Sequence, residues 1–219
     1  MSLYDLLRTD IQKSGGSVNG VAVGIVTNNQ DPDGMGRVKV IFPWRESGDE
    51  SYWARIATLM AGNGRGSFFL PEVGDEVLVA FEHGDINHPY ILGALWNGQD
   101  KPPEANSDGK NNLRKIKSRS GHEIIFDDNG DQQKEKLEIH SKSGHVIVLD
   151  DSSGAEKIEI KDKSGSNSIK IDSSQNSITF ESGMNIKIKS QMIDLEAGST
   201  MNIKAGATLT IKGALVQIN

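Results

Sequence analysis

Cysteine is absent from the 219 residues of this sequence. That absence excludes a disulfide framework and any metal site built on thiolates. The sequence also lacks a run of 18 consecutive apolar residues, so no segment is predicted to cross a membrane as a helix. Acidic residues outnumber basic ones by 30 to 24, and the formal net charge is −6. A nucleic-acid partner is therefore not expected, because phosphate binding needs a basic surface.

Proline, tryptophan and tyrosine are missing from the second half of the chain. All six prolines, three tryptophans and three tyrosines occur at or before Pro103, and the only later aromatic residues are Phe126 and Phe180. Beyond that point the chain is rich in Ile, Lys, Ser, Gly and Asp. This break predicts two architectures joined by a polar linker. The predicted parts are an N-terminal docking segment 1–17, a first domain 18–98, the linker 99–112 and a second domain 113–219.

The segment 24–44, GIVTNNQDPDGMGRVKVIFPW, predicts a strand, a tight loop and a second strand. Its middle is dense in Asn, Asp, Pro and Gly, the residue types that build turns. Gly34 and Gly36 can take the positive φ angles that such a loop needs. After the loop, alternation places three apolar side chains on one face of the second strand: Val38, Val40 and Phe42.

The same alternation occurs in the segment 67–96, where Val77, Val79 and Phe81 share one strand face. With the short run WARIA between them, the two segments supply about five strands, which suits a small barrel such as the OB-fold. The glycine-rich loop 60–67 lacks the pattern of a phosphate-binding loop and is interpreted as a long barrel loop. The predicted barrel core consists of Val21, Val23, Ile25, Val38, Val40, Phe42, Ile56, Val77, Val79, Phe81, Ile91 and Leu95.

Three long phrases carry a resemblance to a known family: DPDGMGRVKVIFPW, YWARIATLMAGNGRGSFFLPEVGDEVLVAFEHGD and HPYILGALWNGQDKPP. In this order and spacing they resemble the OB domain of the baseplate spike family, which includes the phage baseplate assembly protein V group and the VgrG proteins of type VI secretion. The resemblance covers residues 18–103. It implies a trimeric, membrane-puncturing spike in the baseplate of a phage tail or injection particle, delivered to or through a target-cell membrane.

The start of the chain bears on where the protein is made. The first ten residues, MSLYDLLRTD, contain acidic side chains and lack a basic segment followed by an apolar one. No secretory signal is therefore predicted, and synthesis in the bacterial cytoplasm is expected.

The second domain repeats itself. The sequence SGHEIIFDD at 120–128 recurs as SGHVIVLDD at 143–151, an offset of 23 residues. Likewise EKLEI at 135–139 recurs as EKIEI at 156–160, an offset of 21 residues. Each unit predicts a β-hairpin with its turn at the Asp-Asp pair. After Ser182 the repeats shorten to single strands, with Ile203 and Ile211 eight residues apart.

The short repeats favour three intertwined chains. A strand repeated every eight residues presents one narrow apolar stripe, which a single chain cannot bury. Three chains around an axis would bury it, with Ile186, Ile203 and Ile211 as the predicted trimer core. The alternative is a single-chain β-helix, whose coils of roughly 20 residues fit the longer offsets but not the eight-residue spacing. The predicted fold class is all-β, an N-terminal OB-fold barrel followed by an intertwined trimeric β-prism or β-helix needle.

Both ends of the chain are predicted to bind partners. VgrG-type relatives carry a hub ahead of the barrel, so the short N-terminal segment is expected to dock a hub or baseplate protein supplied in trans. Its apolar stripe consists of Leu3, Leu6 and Leu7. The apolar alternation of the C-terminal repeats continues to the last residues, which predicts an apolar binding surface there. The family resemblance implies a tip protein of the PAAR type as the partner. That surface consists of Leu215, Val216, Ile218 and Asn219.

No catalytic or cofactor motif is predicted. His122 and His145 occupy equivalent positions of the repeat, so repetition accounts for them without a metal site. The pattern GxSxG is missing. The protein is therefore predicted to be a non-enzymatic structural spike without a cofactor. Two alternatives remain, an OB-type protein that binds oligonucleotides or polysaccharides, and a β-helix enzyme that degrades polysaccharides.

Overall fold

A computed structural model describes residues 17–45, 48–131 and 133–218 of the chain. These residues fall into two compact units, one within Met1–Lys110 and the other within Asn111–Asn219. Across the described residues the regular elements are β-strands, apart from one 3₁₀ turn at Glu82–Gly84. The all-β fold class predicted from the sequence is thereby confirmed.

The first unit is built on a five-stranded sheet in the order β2-β1-β6-β7-β3. Its neighbours pair antiparallel except β3 and β7, which run parallel. A separate hairpin, β4 with β5, lies in the glycine-rich segment that was interpreted as a long barrel loop. The strands are β1 (Val21–Asn28), β2 (Lys39–Ile41), β3 (Arg55–Ile56), β4 (Ala61–Gly62), β5 (Arg65–Gly66), β6 (Glu76–Phe81) and β7 (Pro89–Ala94).

The core of this unit confirms two predicted strand faces. The alternating side chains of β6, and those in and flanking β2, all point inward and are buried. Ile56 and Leu95 are half-buried. The buried core of this unit consists of Val26, Val38, Val40, Phe42, Ala54, Val77, Val79, Phe81 and Ile91.

The predicted face of β1 is wrong by one residue. Val21 and Val23 are 55% and 38% exposed, and Ile25 is only half-buried. The inward face instead carries Gly24, which lies opposite Val77, and the buried Val26. The reason is space, because a Cβ atom on Gly24 would lie 3.2 Å from side-chain atoms of both Val40 and Val79. The close approach of Val40 and Val79 therefore leaves no room for a side chain at residue 24.

The second unit contains a seven-stranded antiparallel sheet in which every strand pairs with its neighbours in sequence, in the order β14 to β8. The predicted hairpins are confirmed, because β9 pairs with β10 and β11 with β12. None of the six pairings contains a register shift. The strands are β8 (Leu113–Lys117), β9 (Glu123–Asp127), β10 (Lys136–His140), β11 (Val146–Asp150), β12 (Lys157–Lys161), β13 (Ser168–Asp172) and β14 (Ser177–Glu181).

The segment that follows, residues 182–218, is called the tail. Its described residues form no strand within the single chain, although the sequence predicts short strands there. A strand requires a backbone partner for its N–H and C=O groups, and among the described residues the tail pairs with no strand of its own chain. The predicted tail strands are thus not formed by this chain alone.

Candidate interaction surfaces

One face of the seven-stranded sheet is apolar except for Arg114 on the edge strand β8. Direct cross-strand pairing aligns the side chains in two rows, because residues opposite each other share a face. The first row is Ile116, Ile124, Ile139, Ile147, Ile160, Ile169 and Phe180. The second row is Phe126, Leu137, Leu149, Ile158, Ile171 and Ile178. We call these thirteen side chains the apolar face.

The apolar face is open to solvent in the isolated chain. Apart from the half-buried Leu137, its side chains are 36% to 64% exposed. A soluble monomer rarely exposes so large a continuous apolar area, so the face requires a cover. The most exposed members, Ile178 and Phe180, lie on the edge strand β14. That edge also leaves backbone groups without a strand neighbour, which is a further site for pairing with another chain.

The opposite face of the same sheet is mostly charged, although Ile125, Val146 and Val148 also lie on it. Glu123 accepts a bond of 2.6 Å from Lys117, Glu159 one of 2.8 Å from Lys161, and Asp172 one of 2.7 Å from Lys170. The bond from Lys170, with one from the Ser174 hydroxyl, lowers the pKa of Asp172 to about 2. The pair of Lys117 with Glu123 joins two neighbouring strands, whereas the other two pairs each lie within one strand. Because these charges are paired with one another, this face can remain in water.

The tail brings one predicted core residue to the apolar face. Ile186 lines a groove together with five side chains of the first row, Ile139, Ile147, Ile160, Ile169 and Phe180. Ile203 and Ile211 are each more than half exposed in the isolated chain. The single chain therefore places one of the three predicted trimer-core residues against the sheet.

The residues predicted to bind partners at the two ends differ in how far they are described. Leu215, Val216 and Ile218 are exposed, as a binding surface requires. Asn219 and the three N-terminal leucines, Leu3, Leu6 and Leu7, lie outside the described residues.

In the barrel, the DPDGMGR loop is organised by one carboxylate. Asp31 accepts bonds from the Arg37 guanidinium at 2.7 and 2.8 Å, and from the backbone N–H groups of Asp33, Met35 and Arg37. Its side chain is only 3% exposed. The Arg37 guanidinium, helped by these backbone donors, holds the pKa of the Asp31 carboxyl well below its usual range. The loop motif is therefore a structural ion pair rather than a site for a ligand.

A second exposed apolar cluster, on the β4–β5 hairpin, was missed by the sequence interpretation. Leu59 is 97% exposed, and Met60, Phe68 and Phe69 are also exposed. The ends of the hairpin are closed by the N–H of Ser67, which donates to the carbonyl of Met60 at 3.0 Å. The sequence did contain a signal for this cluster, the pair of phenylalanines beside a glycine-rich loop. Because these residues do not belong to an alternating strand, the sequence assigns them no place in the core, and exposure could have been predicted.

The two repeated histidines have a structural role in the turns. The backbone N–H of His122 donates to the hydroxyl of Ser118, and that of His145 to the hydroxyl of Ser141, at 3.0 and 2.9 Å. Across residues 17–45, 48–131 and 133–218, no group of three or more potential metal-binding His, Cys, Asp or Glu side chains is found. Within the same residues, no helix has the length and apolar character needed to span a bilayer.

Comparison with known families identifies the barrel. Residues 22–96 match the family described as the type VI secretion system and phage-baseplate injector OB domain. This range contains all seven strands of the first unit except the first residue of β1. The OB-type barrel predicted from the sequence is thereby supported.

Several curated proteins are similar over the same region and beyond it. The type VI secretion system spike protein VgrG4b of Pseudomonas aeruginosa is 34% identical over 131 residues, which is 51% of this chain and 16% of that protein. The spike protein VgrG3 of Vibrio cholerae is 43% identical over 82 residues, 36% of this chain and 8% of that protein. The actin cross-linking toxin VgrG1 of V. cholerae is 39% identical over 75 residues, 32% of this chain and 7% of that protein. The chain thus spans less than a fifth of the length of each of these relatives.

Proposed function

Because its barrel and adjoining sequence make this chain a member of the VgrG-type baseplate and spike family, we propose that it is the central spike of a phage-tail-like injection system. Its work in this proposal is mechanical and not catalytic. A narrow needle with continuous backbone pairing and a filled core transmits force without bending, and concentrates it on a small area of the target-cell membrane. The toxin name of one relative belongs to a protein of which only 7% matches this chain.

The observation that carries the proposal is the uncovered apolar face. We propose that its cover is two further copies of the same chain, so that three sheets enclose a common core. The proposed domains are the barrel at 18–98, a linker at 99–112 and the spike at 113–219. A homotrimer also explains why the tail forms no strands alone, because its partners would come from the other two chains.

The trimer is tested by light scattering of the purified chain. The expected mass is about 71 kDa, three times the 23.8 kDa of one chain. Ile178→Asp places a carboxylate on the apolar face and should abolish the trimer, because three buried charges cannot be solvated. Thr179→Asp is the matched control, since Thr179 lies on the opposite face beside Lys170. A wild-type monomer at micromolar concentration, or a trimeric Ile178→Asp variant, would contradict the proposal.

We propose further that the C-terminal end binds a tip protein of the PAAR type. Leu215, Val216 and Ile218 are exposed, and three copies of them around an axis would form an apolar base for a conical cap. The double variant Val216→Asp/Ile218→Asp should remain trimeric and lose binding to the tip protein encoded beside the spike gene. Equal binding by this variant and the wild type would contradict the proposed surface.

The hub contact is proposed for the N-terminal segment that contains Leu3, Leu6 and Leu7. Deleting residues 1–14 should leave a folded trimer that no longer co-purifies with the hub protein. If the shortened chain binds the hub as tightly as the full chain does, the barrel alone makes the contact.

A further inference from the structure

Turns at one end of the seven-stranded sheet are connected by side-chain acceptors. The Nδ1 atom of His122 accepts a hydrogen bond from the backbone N–H of Lys142, at 3.3 Å. In the next repeat, Nδ1 of His145 accepts from the backbone N–H of Lys163, again at 3.3 Å. Each ring can accept only in the tautomer that leaves Nδ1 without a proton. The turns concerned are 118–122, 141–145 and 162–167. The last residue of each of the first two turns thus accepts a bond from the second residue of the next turn.

The third turn, 162–167, continues this series with a different residue. It is one residue longer than the first two, and Asn167 takes the place of the histidine. The Oδ1 atom of Asn167 accepts from the backbone N–H of Gly183, also at 3.3 Å. Gly183 follows Ser182 just as Lys142 follows Ser141, so it is the second residue of the next turn. Because Gly183 lies beyond β14, this bond connects the sheet to the tail.

Asn167 is held from two sides at this junction. Its Nδ2 group donates to the carboxylate of Asp162 at 3.0 Å, and the hydroxyl of Ser182 donates to its Oδ1 at 2.9 Å. Bonds from the Ser164 hydroxyl and from Asn167 lower the pKa of Asp162 to about 2, so this carboxylate stays an acceptor near neutral pH. An asparagine can serve both neighbours at once because its amide carries a donor and an acceptor.

The pattern also extends one step into the tail. The hydroxyl of Ser182 accepts from the backbone N–H of Asn185 at 3.2 Å. The hydroxyls of Ser118 and Ser141 accept from the two histidines in the same way. Asn185 therefore occupies, in the fourth turn, the position that His122, His145 and Asn167 occupy in the first three.

We propose that Asn167 is a positioning residue that fixes where the tail leaves the sheet, with Ser182 as its partner. The bonds involved lie within one chain and do not depend on the proposed spike function. Only the consequence for assembly, namely the register of the tail among its partner chains, rests on that function. A tail that starts at a fixed point enters the assembly in one register. A free tail could pair with its neighbours in several registers, since its repeats are short and similar.

Hydrogen–deuterium exchange of the full chain tests this proposal, with Asn167→Ala and Ser182→Ala as the two variants. Asn167→Ala should speed exchange at Gly183 and in the tail peptides by about fivefold, the factor expected for the loss of one net hydrogen bond. Ser182→Ala should act on the same peptides. The control is Asn129→Ala, which changes an asparagine in a turn at the other end of the strands. It should leave the tail unchanged.

Two results would overturn the proposal. Exchange in the tail that is the same in Asn167→Ala as in the wild type would show that the junction does not depend on this side chain. Faster exchange spread evenly over residues 113–181 would show that Asn167 supports the whole sheet instead. Light scattering of the same samples separates this question from the spike function, because a monomeric wild type would contradict the trimer while the exchange at Gly183 still reports on Asn167.

Discussion

The barrel and the seven-stranded sheet use the same alternation of apolar side chains with opposite results. In the barrel, alternate side chains of β1, β2, β6 and β7 meet in a core that is closed within the chain. In the second unit, seven strands follow one another in sequence, and the thirteen side chains of the apolar face share one side of the sheet that is open to solvent in the single chain. Alternation therefore predicts a face, and the connections between strands decide whether one chain can bury it.

The connections differ in the residues that build them. The barrel uses prolines, bulky aromatics and a parallel pair, β3 with β7, to curl around its own core. Its pairings also contain register shifts, between Val26 and Asn28 and between Leu78 and Val79. The second unit has five-residue strands and uninterrupted registers. Strands that pair without register shifts form an extended open sheet, whereas register shifts bend the strands of the barrel and help its sheet to close.

The largest effect is expected for a substitution that disrupts the proposed contacts among three copies of the second unit. Ile203→Asp places one carboxylate per chain on the axis of the proposed trimer, where desolvation and mutual repulsion act together. The trimer should be destabilised by about 3 to 5 kcal/mol per chain, seen as a steep fall of its melting temperature. Lys204→Asp, on the adjacent outward position, should change stability by less than about 0.5 kcal/mol. Equal effects of the two variants would contradict the predicted orientation of the tail.

A smaller effect is expected inside the barrel. Gly24→Ala adds a Cβ atom 3.2 Å from side-chain atoms of Val40 and Val79, both of which are fully buried. The free energy of unfolding of the barrel should fall by about 1 to 3 kcal/mol, while the trimer mass is unchanged. Gly93→Ala in β7 is the control, because its Cβ would meet no atom within 4 Å. Denaturant unfolding that ranks Gly93→Ala as the worse variant would refute the packing argument.

The smallest expected effect concerns the pH dependence of the barrel loop. Because Arg37 and the loop N–H groups lower the pKa of Asp31 in the folded state, the unfolded chain binds more protons to this group at low pH. Its contribution to stability is complete above its unfolded pKa of about 3.9 and is lost as the pH falls below that value. Asp31→Asn should therefore lower the melting temperature at about pH 6 and approach the wild type near about pH 2.5.

The control for this measurement is Asp33→Asn, since Asp33 is exposed and contributes a single bond to Arg37. It should show a weaker pH-dependent difference from the wild type. A difference between Asp31→Asn and the wild type that stays constant over the whole pH range would mean that the carboxylate charge does not stabilise the loop.

The sequence predicted well wherever a strand face depends on neighbouring residues alone. The alternation around Val40 and Val79 identified the inward face of β2 and β6, and the repeated SGH and EK phrases located the hairpins. It failed for β1, because the exclusion of Val23 from the core depends on the distance between Gly24 and two other strands. Sequence spacing carries no information about that distance.

The candidate surfaces were also predictable to different degrees, because sequence patterns report on neighbouring residues and not on contacts between distant segments. The apolar character of Ile186 and of Val216 is visible in the sequence, and both are exposed in the single chain. The bond from Gly183 to Asn167 was not predictable, because it joins residues 16 positions apart in two different turns. The exposed hairpin around Phe68 was also missed, since the loop was judged by its glycines and not by its apolar flanks.

The unbroken register of the second unit makes its length adjustable. Each hairpin repeat adds two five-residue strands without altering which side chains face inward. Gaining or losing one repeat of 21 to 23 residues changes the span of the sheet by about 10 Å, two strand spacings, and leaves both faces intact. The barrel has no unit that could be added or removed in the same way, because its closure requires every one of its strands. The span of this sheet is therefore set by its number of whole repeats, whereas the barrel closes only with its full set of strands.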